Sequence, residues 1–170
     1  MQHDEPTSVI PTRILVPVDF SPSSHEALEA AVELSEKFGS ELFLLHVIPE
    51  SANFILPETV SQESLVEAER KEAEARFAVS KGALDAKKIA CKTIVEVGND
   101  VAAAILDVVE REKVDLLVFS THGLSGWYPQ VFGSIAEKLV RLAQSPIWLV
   151  RTLKPESTAK VTGGRMMEWW

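Results

Sequence analysis

Five short apolar runs alternate with four amphipathic helical segments, and this alternation is the feature that most constrains the fold. The runs lie at residues 13–19, 41–47, 91–97, 115–120 and 146–150. Several are almost continuously apolar, which is typical of strands that are covered on both faces. Because a helical segment separates each pair of consecutive runs, we predict an α/β fold. It is an open five-stranded parallel sheet with helices on both faces.

The helical segments carry start and stop signals. Ser21 and Pro22 begin the first helix, and Gly39 ends it. The other three helices are predicted over residues 63–81, after the cap formed by Asn99 and Asp100, and from Gly133-Ser134 to Ala143. The connection at residues 49–62 is longer than an ordinary α/β connection, so we expect it to be a flap or a partner surface.

The length of 170 residues fits one domain with a core of its own. We predict this domain over residues 13–151, preceded by an extension at 1–12 and followed by a tail at 152–170. The tail is polar at its start and ends in Trp169 and Trp170. It is either a frayed terminus or a segment that packs against the same dimer or an unidentified protein partner.

Charge and cysteine content exclude several classes of partner and site. Seventeen basic and 25 acidic residues give a formal net charge of −8, and an acidic surface repels nucleic acids and anionic membranes. The single cysteine, Cys91, excludes an internal disulfide and a multi-cysteine metal site. No apolar run has the length of a membrane span, and the N-terminus is acidic and unlike a signal peptide. We therefore expect a cytoplasmic protein.

The segment after the first strand is the first candidate for ligand binding, because ligands of open α/β sheets bind beyond the carboxyl ends of the strands. It contains Pro17, Val18 and Asp19. The Asp19 carboxylate is suited to accept hydrogen bonds from a ribose or an adenine amine, or to bind a metal. The alternative is that Asp19 caps a turn.

The segment after the fourth strand is longer and richer in glycine. It runs from Ser120 to Gly133 and Ser134, where a helix begins. Glycine lets a ligand approach the backbone closely, and the start of a helix presents free N–H groups to an anion. These features suit a phosphate group. The alternative is that Ser134 and Glu137 form a capping box without any ligand.

Three landmarks of the sequence are residues 14–21 (ILVPVDFS), residues 44–47 (LLHV) and the long fourth loop. With these landmarks, residues 13–151 resemble the universal stress protein family. Nucleotide-binding members of that family have the pattern G-x2-G-x9-G-[ST]. Gly123, Gly133 and Ser134 match its last three elements, and Ser120 stands at the position of the first glycine.

The resemblance implies a strand order of 3-2-1-4-5 and a site for an adenine nucleotide, ATP or AMP, with or without Mg²⁺. By this resemblance, the adenine and ribose are surrounded by the first loop, Val47 gives a backbone contact to the adenine, and the fourth loop holds the phosphates. The predicted binding residues are Pro17, Val18, Asp19, Val47, Ser120, His122, Gly123, Gly133 and Ser134.

The resemblance further implies a stress-response regulatory protein that acts through nucleotide-dependent conformational or partner switching. We predict no catalytic residues and no dedicated metal ligands. The alternatives are a nucleotide-free interaction module and a slow ATPase or self-phosphorylating protein. A P-loop is excluded because no G-x-x-x-x-G-K-[ST] occurs.

The last apolar run, from Pro146 to Val150, is predicted to lie at an edge of the sheet. An apolar edge strand favours pairing with another chain, and the resemblance implies the same contact. We therefore expect a homodimer joined through this strand.

Overall fold

The computed structural model describes residues 10–50, 61–121 and 133–151. Strands and helices alternate through these ranges. The strands are β1 (Arg13–Pro17), β2 (Glu41–Pro49), β3 (Cys91–Gly98), β4 (Leu116–Ser120) and β5 (Ile147–Val150). The helices are α1 (Pro22–Phe38), α2 (Gln62–Ala86), α3 (Val101–Arg111) and α4 (Ser134–Leu142).

The five strands form one parallel sheet in the order β3-β2-β1-β4-β5, so the predicted fold and strand order are confirmed. β1 is the central strand and pairs with β2 on one side and β4 on the other. Ile14, Leu15 and Val16 of β1 have no exposed surface. This complete burial explains why the first run contains no polar side chain between Arg13 and Pro17.

Two apolar cores lie on opposite faces of the sheet. Buried side chains of α1 and α2 form the first core with alternate residues of β1 and β2, among them Ile14 and Leu44. Buried side chains of α3 and α4 form the second core with the intervening residues, among them Leu15 and Leu45. The sheet is therefore covered by helices on both faces, as the continuous apolar runs predict.

Helix α1 follows its predicted boundaries, whereas α2 is longer than predicted. The Ser21 hydroxyl accepts a hydrogen bond from the Ser24 N–H at 3.2 Å, and Gly39 ends α1 in the left-handed conformation (φ +74°). α2 continues through Gly82 to Ala86. The sequence-based end at residue 81 is too early because Leu84, which is fully buried in the first core, stabilises one further turn.

Some predictions fall outside the described residues. Most of the expected flap at 49–62 does, and so do the C-terminal tail at 152–170 and residues 1–9 of the expected extension. Thr12 is described, and its N–H and hydroxyl donate hydrogen bonds to the Asp115 carboxylate. No helix within the described ranges is both long and apolar enough to cross a membrane.

The extension of α2 predicts a position-dependent effect of leucine truncation. Leu84→Ala is expected to lower the free energy of unfolding by about 2–5 kcal/mol, because it leaves a cavity in the first core. Leu65→Ala, in the same helix but 39% exposed, is the matched control and should change it by about 0.5 kcal/mol or less. Urea denaturation of both variants measures the difference. Equal effects would show that the last turn of α2 does not pack as described.

Candidate functional site

A cavity of about 440 Å³ lies at the carboxyl ends of β1, β2 and β4. This is the place where the strand order reverses, since α1 and α4, which follow β1 and β4, leave the sheet on opposite faces. Seven predicted residues line the cavity: Pro17, Val18, Asp19, Val47, Ser120, Gly133 and Ser134. The two others, His122 and Gly123, lie outside the described residues. Segments that are up to 117 positions apart in the sequence are thus brought to one cavity.

Asp19 lies at the cavity and also orders the turn that leads into α1. Its Oδ1 atom accepts a hydrogen bond from the Ser21 N–H at 3.0 Å and another from the Ser21 hydroxyl at 2.5 Å. Ser21 in turn caps α1. The turn-capping role considered from the sequence is therefore present. It does not exclude ligand binding, because the same side chain lines the cavity.

Val18 extends the contact between the first loop and β2 beyond the end of β1. Its N–H donates to the Leu45 carbonyl oxygen at 2.7 Å. Its own carbonyl oxygen lies 2.7 Å from Nδ1 of His46. Because a carbonyl oxygen only accepts hydrogen bonds, Nδ1 of His46 carries the proton in this contact. His46 thus has a structural role in holding the first loop against β2.

The two ends of the fourth loop meet at the cavity. The Thr121 N–H donates to the Val150 carbonyl oxygen at 3.1 Å, which fixes Thr121 beside β5. The Thr121 carbonyl oxygen then accepts a hydrogen bond from the Gly133 N–H at 2.9 Å. This bond brings Ser120 close to Gly133 and Ser134, although eleven undescribed residues separate Thr121 from Gly133. Thr121 is the residue that joins the two halves of the predicted phosphate-binding motif.

Helix α4 begins at the cavity without a side-chain cap. Gly133 is its N-cap residue, Ser134 is the first helical residue, and no side-chain hydrogen bond caps this end. The capping box considered between Ser134 and Glu137 is therefore not formed. The helix itself offers no acceptor to its first N–H groups, which belong to Ser134, Ile135 and Ala136, and all three residues line the cavity.

The backbone at Gly133 does not require glycine. Its φ of −70° and ψ of 160° are accessible to any residue. A Cβ atom at this position would lie 3.6 Å from the Thr121 carbonyl oxygen, which is an ordinary contact distance. The described part of the fold would therefore accept a side chain at residue 133.

Apolar side chains of α3 and α4 form one wall of the cavity. Val101 and Ile105 come from α3, and Ile135, Ala136 and Leu139 come from α4. This surface is suited to the face of a planar apolar group, such as an aromatic base.

An ion pair holds α3 and α4 together beside this wall. Nζ of Lys138 donates to Oδ2 of Asp100 at 3.0 Å. Asp100 is also the N-cap of α3, where its Oδ1 accepts from the N–H groups of Ala102 and Ala103. The hydrogen bond from Lys138 is the main reason that the pKa of Asp100 lies below its ordinary value. The carboxylate therefore stays charged to a lower pH than an ordinary aspartate does.

The described lining contains no lysine or arginine. A phosphate group at this site would thus meet backbone N–H groups and the hydroxyls of Ser120, Thr121 and Ser134, with the partial positive charge of the α4 N-terminus. Within the described part of the chain, no group of three or more His, Cys, Asp or Glu side chains is arranged to hold a metal ion. The arrangement favours binding of a ligand that has a planar apolar part and an anionic part.

Sequence reasoning missed several lining residues. Thr121 directly follows the fourth strand, so its position after a strand end was an available signal. Val101 and Ile105 were predicted as inward-facing core residues, and they do pack inward, but they also line the cavity. Periodicity identifies the buried face of a helix and does not show where that face reaches the edge of a core.

An open parallel sheet with a cavity at its point of strand reversal defines the class of doubly wound α/β proteins. A sequence model described as the universal stress protein family matches residues 11–151. The chain belongs to the universal stress protein family, as the motifs in its sequence predict.

Relatives match along most of their length. The chain is 30% identical over 145 residues to the universal stress protein MJ0531 of Methanocaldococcus jannaschii, and the alignment covers 85% of this chain and 84% of that protein. It is also 30% identical over 147 residues to YxiE of Bacillus subtilis, with 82% and 98% covered. The solved structure of protein MJ0577 of M. jannaschii superposes with a TM-score of 0.77 at 26% identity, covering 86% of this chain and all of that one.

Three solved structures of the same fold contain a nucleotide. They are a universal stress protein in complex with cAMP (TM-score 0.58, 18% identity), one from Archaeoglobus fulgidus in complex with dAMP (0.56, 20%) and one from Arabidopsis thaliana with AMP bound (0.61, 19%). They cover 82–86% of this chain and 97–98% of their own chains. At this level of identity they demonstrate the shared fold.

Cys91 lies at the start of β3, at the opposite end of the sheet from the cavity, and is expected to be unreactive. Burial raises the pKa of its thiol from 9.0 to about 12. At pH 8 the thiolate fraction is then roughly a thousandfold lower than for an ordinary thiol. Labelling with a thiol-specific disulfide reagent should be slower by about that factor in the folded protein than in guanidinium. Equal rates would contradict the described burial of Cys91.

Proposed function

We propose that the cavity binds an adenine nucleotide, ATP or AMP, and that its occupancy controls the conformation or the partner of a stress-response regulatory protein. The observation that carries the proposal is the meeting of Asp19, Ser120 and the uncapped start of α4 at one cavity. These three features come from separate parts of the chain. Each supplies a group that a nucleotide requires.

The base and ribose fit the part of the cavity between β2 and the apolar wall. Val101 and Ile105 offer an apolar surface to the adenine, and the backbone at Val47 offers polar groups to its edge. The Asp19 carboxylate accepts hydrogen bonds from the ribose hydroxyls. The AMP, dAMP and cAMP complexes of proteins with this fold support an adenosine-type ligand.

The phosphates fit the end of the cavity formed by Ser120, Gly133 and Ser134. The free N–H groups of α4 donate hydrogen bonds to phosphate oxygens, and the helix dipole favours their negative charge. The missing side chain at Gly133 allows the phosphates to approach the backbone. The fold itself does not require a glycine at this position, so ligand binding is the proposed reason for it. Mg²⁺ would enter with the phosphates of ATP.

Regulation follows from a difference in nucleotide affinity between two states of the protein. The nucleotide contacts both ends of the fourth loop, at Ser120 and at Gly133, and so favours the state in which those ends meet. A partner protein that recognises this state then binds in a nucleotide-dependent manner. The proposed location is the cytoplasm, where ATP and AMP are available.

Gly133→Val is expected to abolish nucleotide binding while the protein stays folded. The branched side chain occupies the space proposed for the phosphates, and the backbone conformation at residue 133 tolerates it. Calorimetric titration with ATP and with AMP measures the affinity. Gly82→Val is the matched control, because Gly82 lies in α2 with open space around its Cβ position.

Asp19→Asn in the same titration separates charge from turn formation. The asparagine oxygen keeps an acceptor for the Ser21 N–H, whereas the charge that favours the ribose hydroxyls is lost. The expected loss of binding free energy is about 1–3 kcal/mol. Wild-type affinity in both Gly133→Val and Asp19→Asn would contradict the proposed site.

Wild-type protein that binds neither nucleotide would favour the nucleotide-free alternative, and ADP formed from ATP would favour the ATPase alternative.

We also propose that the protein forms a homodimer through β5. The two edge strands of the sheet differ in how they are covered. At the β3 edge, Nη1 of Arg70 on α2 donates to the outward-facing Val95 carbonyl oxygen at 3.1 Å, so a side chain occupies the place of a further strand. At the β5 edge, Trp148 is 47% exposed. An apolar edge of this kind favours pairing with a second copy.

Trp148→Glu is expected to convert the dimer into a monomer, because it places a charge on each side of the proposed interface. Light scattering at micromolar concentration should give twice 18.7 kDa for the wild type and 18.7 kDa for the variant. Val79→Glu on α2 is the matched control, since Val79 is 49% exposed, and should remain dimeric. A monomeric wild type would contradict the proposed dimer.

A further inference from the structure

Phe20, between the cavity and α1, has a backbone conformation that bulky residues rarely adopt. Its φ is +60°, which lies in the left-handed region that disfavours side chains larger than glycine. Within the described ranges, the other non-glycine residues with positive φ are Lys88 and Lys113. Both of these follow the ends of helices, where the left-handed conformation is common. Phe20 instead stands between a strand and a helix, so its conformation needs another cause.

The cause is a set of ring contacts that Phe20 makes with residues of β2 and α2. The centroid of the Phe20 ring lies 4.8 Å from that of His46 and 5.4 Å from that of Phe77. The guanidinium carbon of Arg76 lies 5.0 Å from the same centroid. Phe77 is 1% exposed in the first core. Residues of β2 and α2 therefore hold the Phe20 ring in place.

The neighbours of Phe20 in the sequence carry polar contacts that depend on its conformation. Asp19 and Ser21, one residue before and one after, are joined by the hydrogen bond from the Ser21 N–H to Asp19 Oδ1. Val18 is held by His46, the residue that also contacts the Phe20 ring. A change of φ at residue 20 rotates the chain between Asp19 and Ser21 and breaks their hydrogen bond.

We infer that Phe20 is a positioning residue: its ring, held by β2 and α2, fixes the left-handed turn that presents the Asp19 carboxylate to the cavity. Phe20 does not line the cavity, so it acts on a ligand through Asp19. For nucleotide binding, this inference rests on the proposed function. The ordering of Asp19 in the ligand-free protein is independent of it.

Comparing Phe20→Ala with Phe20→Gly tests the inference, because glycine loses more packing than alanine but adopts the left-handed backbone conformation more easily. Both remove the ring, and glycine removes one more carbon. Alanine still disfavours the left-handed conformation, whereas glycine adopts it readily. Since binding weakens in proportion to the population of the competent turn, we expect Phe20→Ala to raise the Kd for AMP roughly fivefold to thirtyfold. Phe20→Gly should raise it by a smaller factor.

A ligand-free measurement gives the same comparison without any nucleotide. Amide hydrogen exchange at Ser21 reports the hydrogen bond to Asp19, and it should be fastest in Phe20→Ala, intermediate in Phe20→Gly and slowest in the wild type. A role in packing alone predicts that glycine is as harmful as alanine or more so. That order of exchange rates would overturn the inference. If the wild type protects Ser21 but binds no AMP, the proposed function fails and the inference stands.

Two sets of variants serve as controls. Lys113→Ala and Lys113→Gly repeat the comparison at another position with positive φ (55°), at the opposite end of the sheet, and should leave the Kd for AMP unchanged.

Arg76→Met removes the cation above the Phe20 ring from a side chain that is 44% exposed. Arg76→Met tests the inference even if both Phe20 variants unfold. We expect it to raise the Kd for AMP twofold to fivefold, which is about the effect of losing one exposed cation–π contact. Glu72→Gln, which removes only the ion pair of Arg76, should not raise the Kd, and equal effects of these two variants would overturn the inference.

Discussion

The position of β1 between β2 and β4 is the constraint on which the rest of the structure depends. All the hydrogen-bonding groups of a central strand are used by its two neighbours, and Ile14, Leu15 and Val16 are fully buried between two helical layers. From the centre of the sheet, β1 connects to β2 on one side and β4 connects to β5 on the other, and because such crossovers are right-handed, the chain leaves β1 towards one face and β4 towards the other. This divergence opens the cavity at the carboxyl ends of the strands. The site is thus a consequence of strand order.

The cavity obtains its polar character mainly from the backbone. The described lining has no lysine or arginine, and the groups suited to an anion are the first N–H groups of α4 and nearby hydroxyls. This agrees with a chain whose formal net charge is −8. Because backbone groups have fixed positions, their effect depends on the elements that hold them. Thr121 holds the start of α4, and the ion pair of Lys138 with Asp100 joins α4 to α3. The contacts of the Phe20 ring hold the turn that presents Asp19 to the cavity.

Much of the site could be predicted from the sequence, because its residues follow strand ends or begin a helix. Asp19 and Ser120 are recognisable in this way, and Gly133 and Ser134 are recognisable by their spacing from Gly123 in the family pattern. The alternative for Ser134, a capping box with Glu137, was equally compatible with the sequence. The capping box is not formed because α4 begins one residue earlier than it requires: Gly133, and not Ser134, is the N-cap. Hydrogen-bond register of this kind is set by Thr121, which contacts Gly133 from twelve positions earlier.

The sequence by itself determined the α/β class, the order of the elements and the family, because apolar periodicity and local capping residues are properties of contiguous segments. Tertiary structure alone decided the last turn of α2, which Leu84 stabilises beyond Gly82 through burial in a core shared with β1 and β2. It also decided the left-handed conformation of Phe20. No local signal favours a positive φ at phenylalanine, and the contacts that compensate for it come from β2 and α2, 26 and more positions away. Interactions between distant segments lie outside what a local pattern can encode.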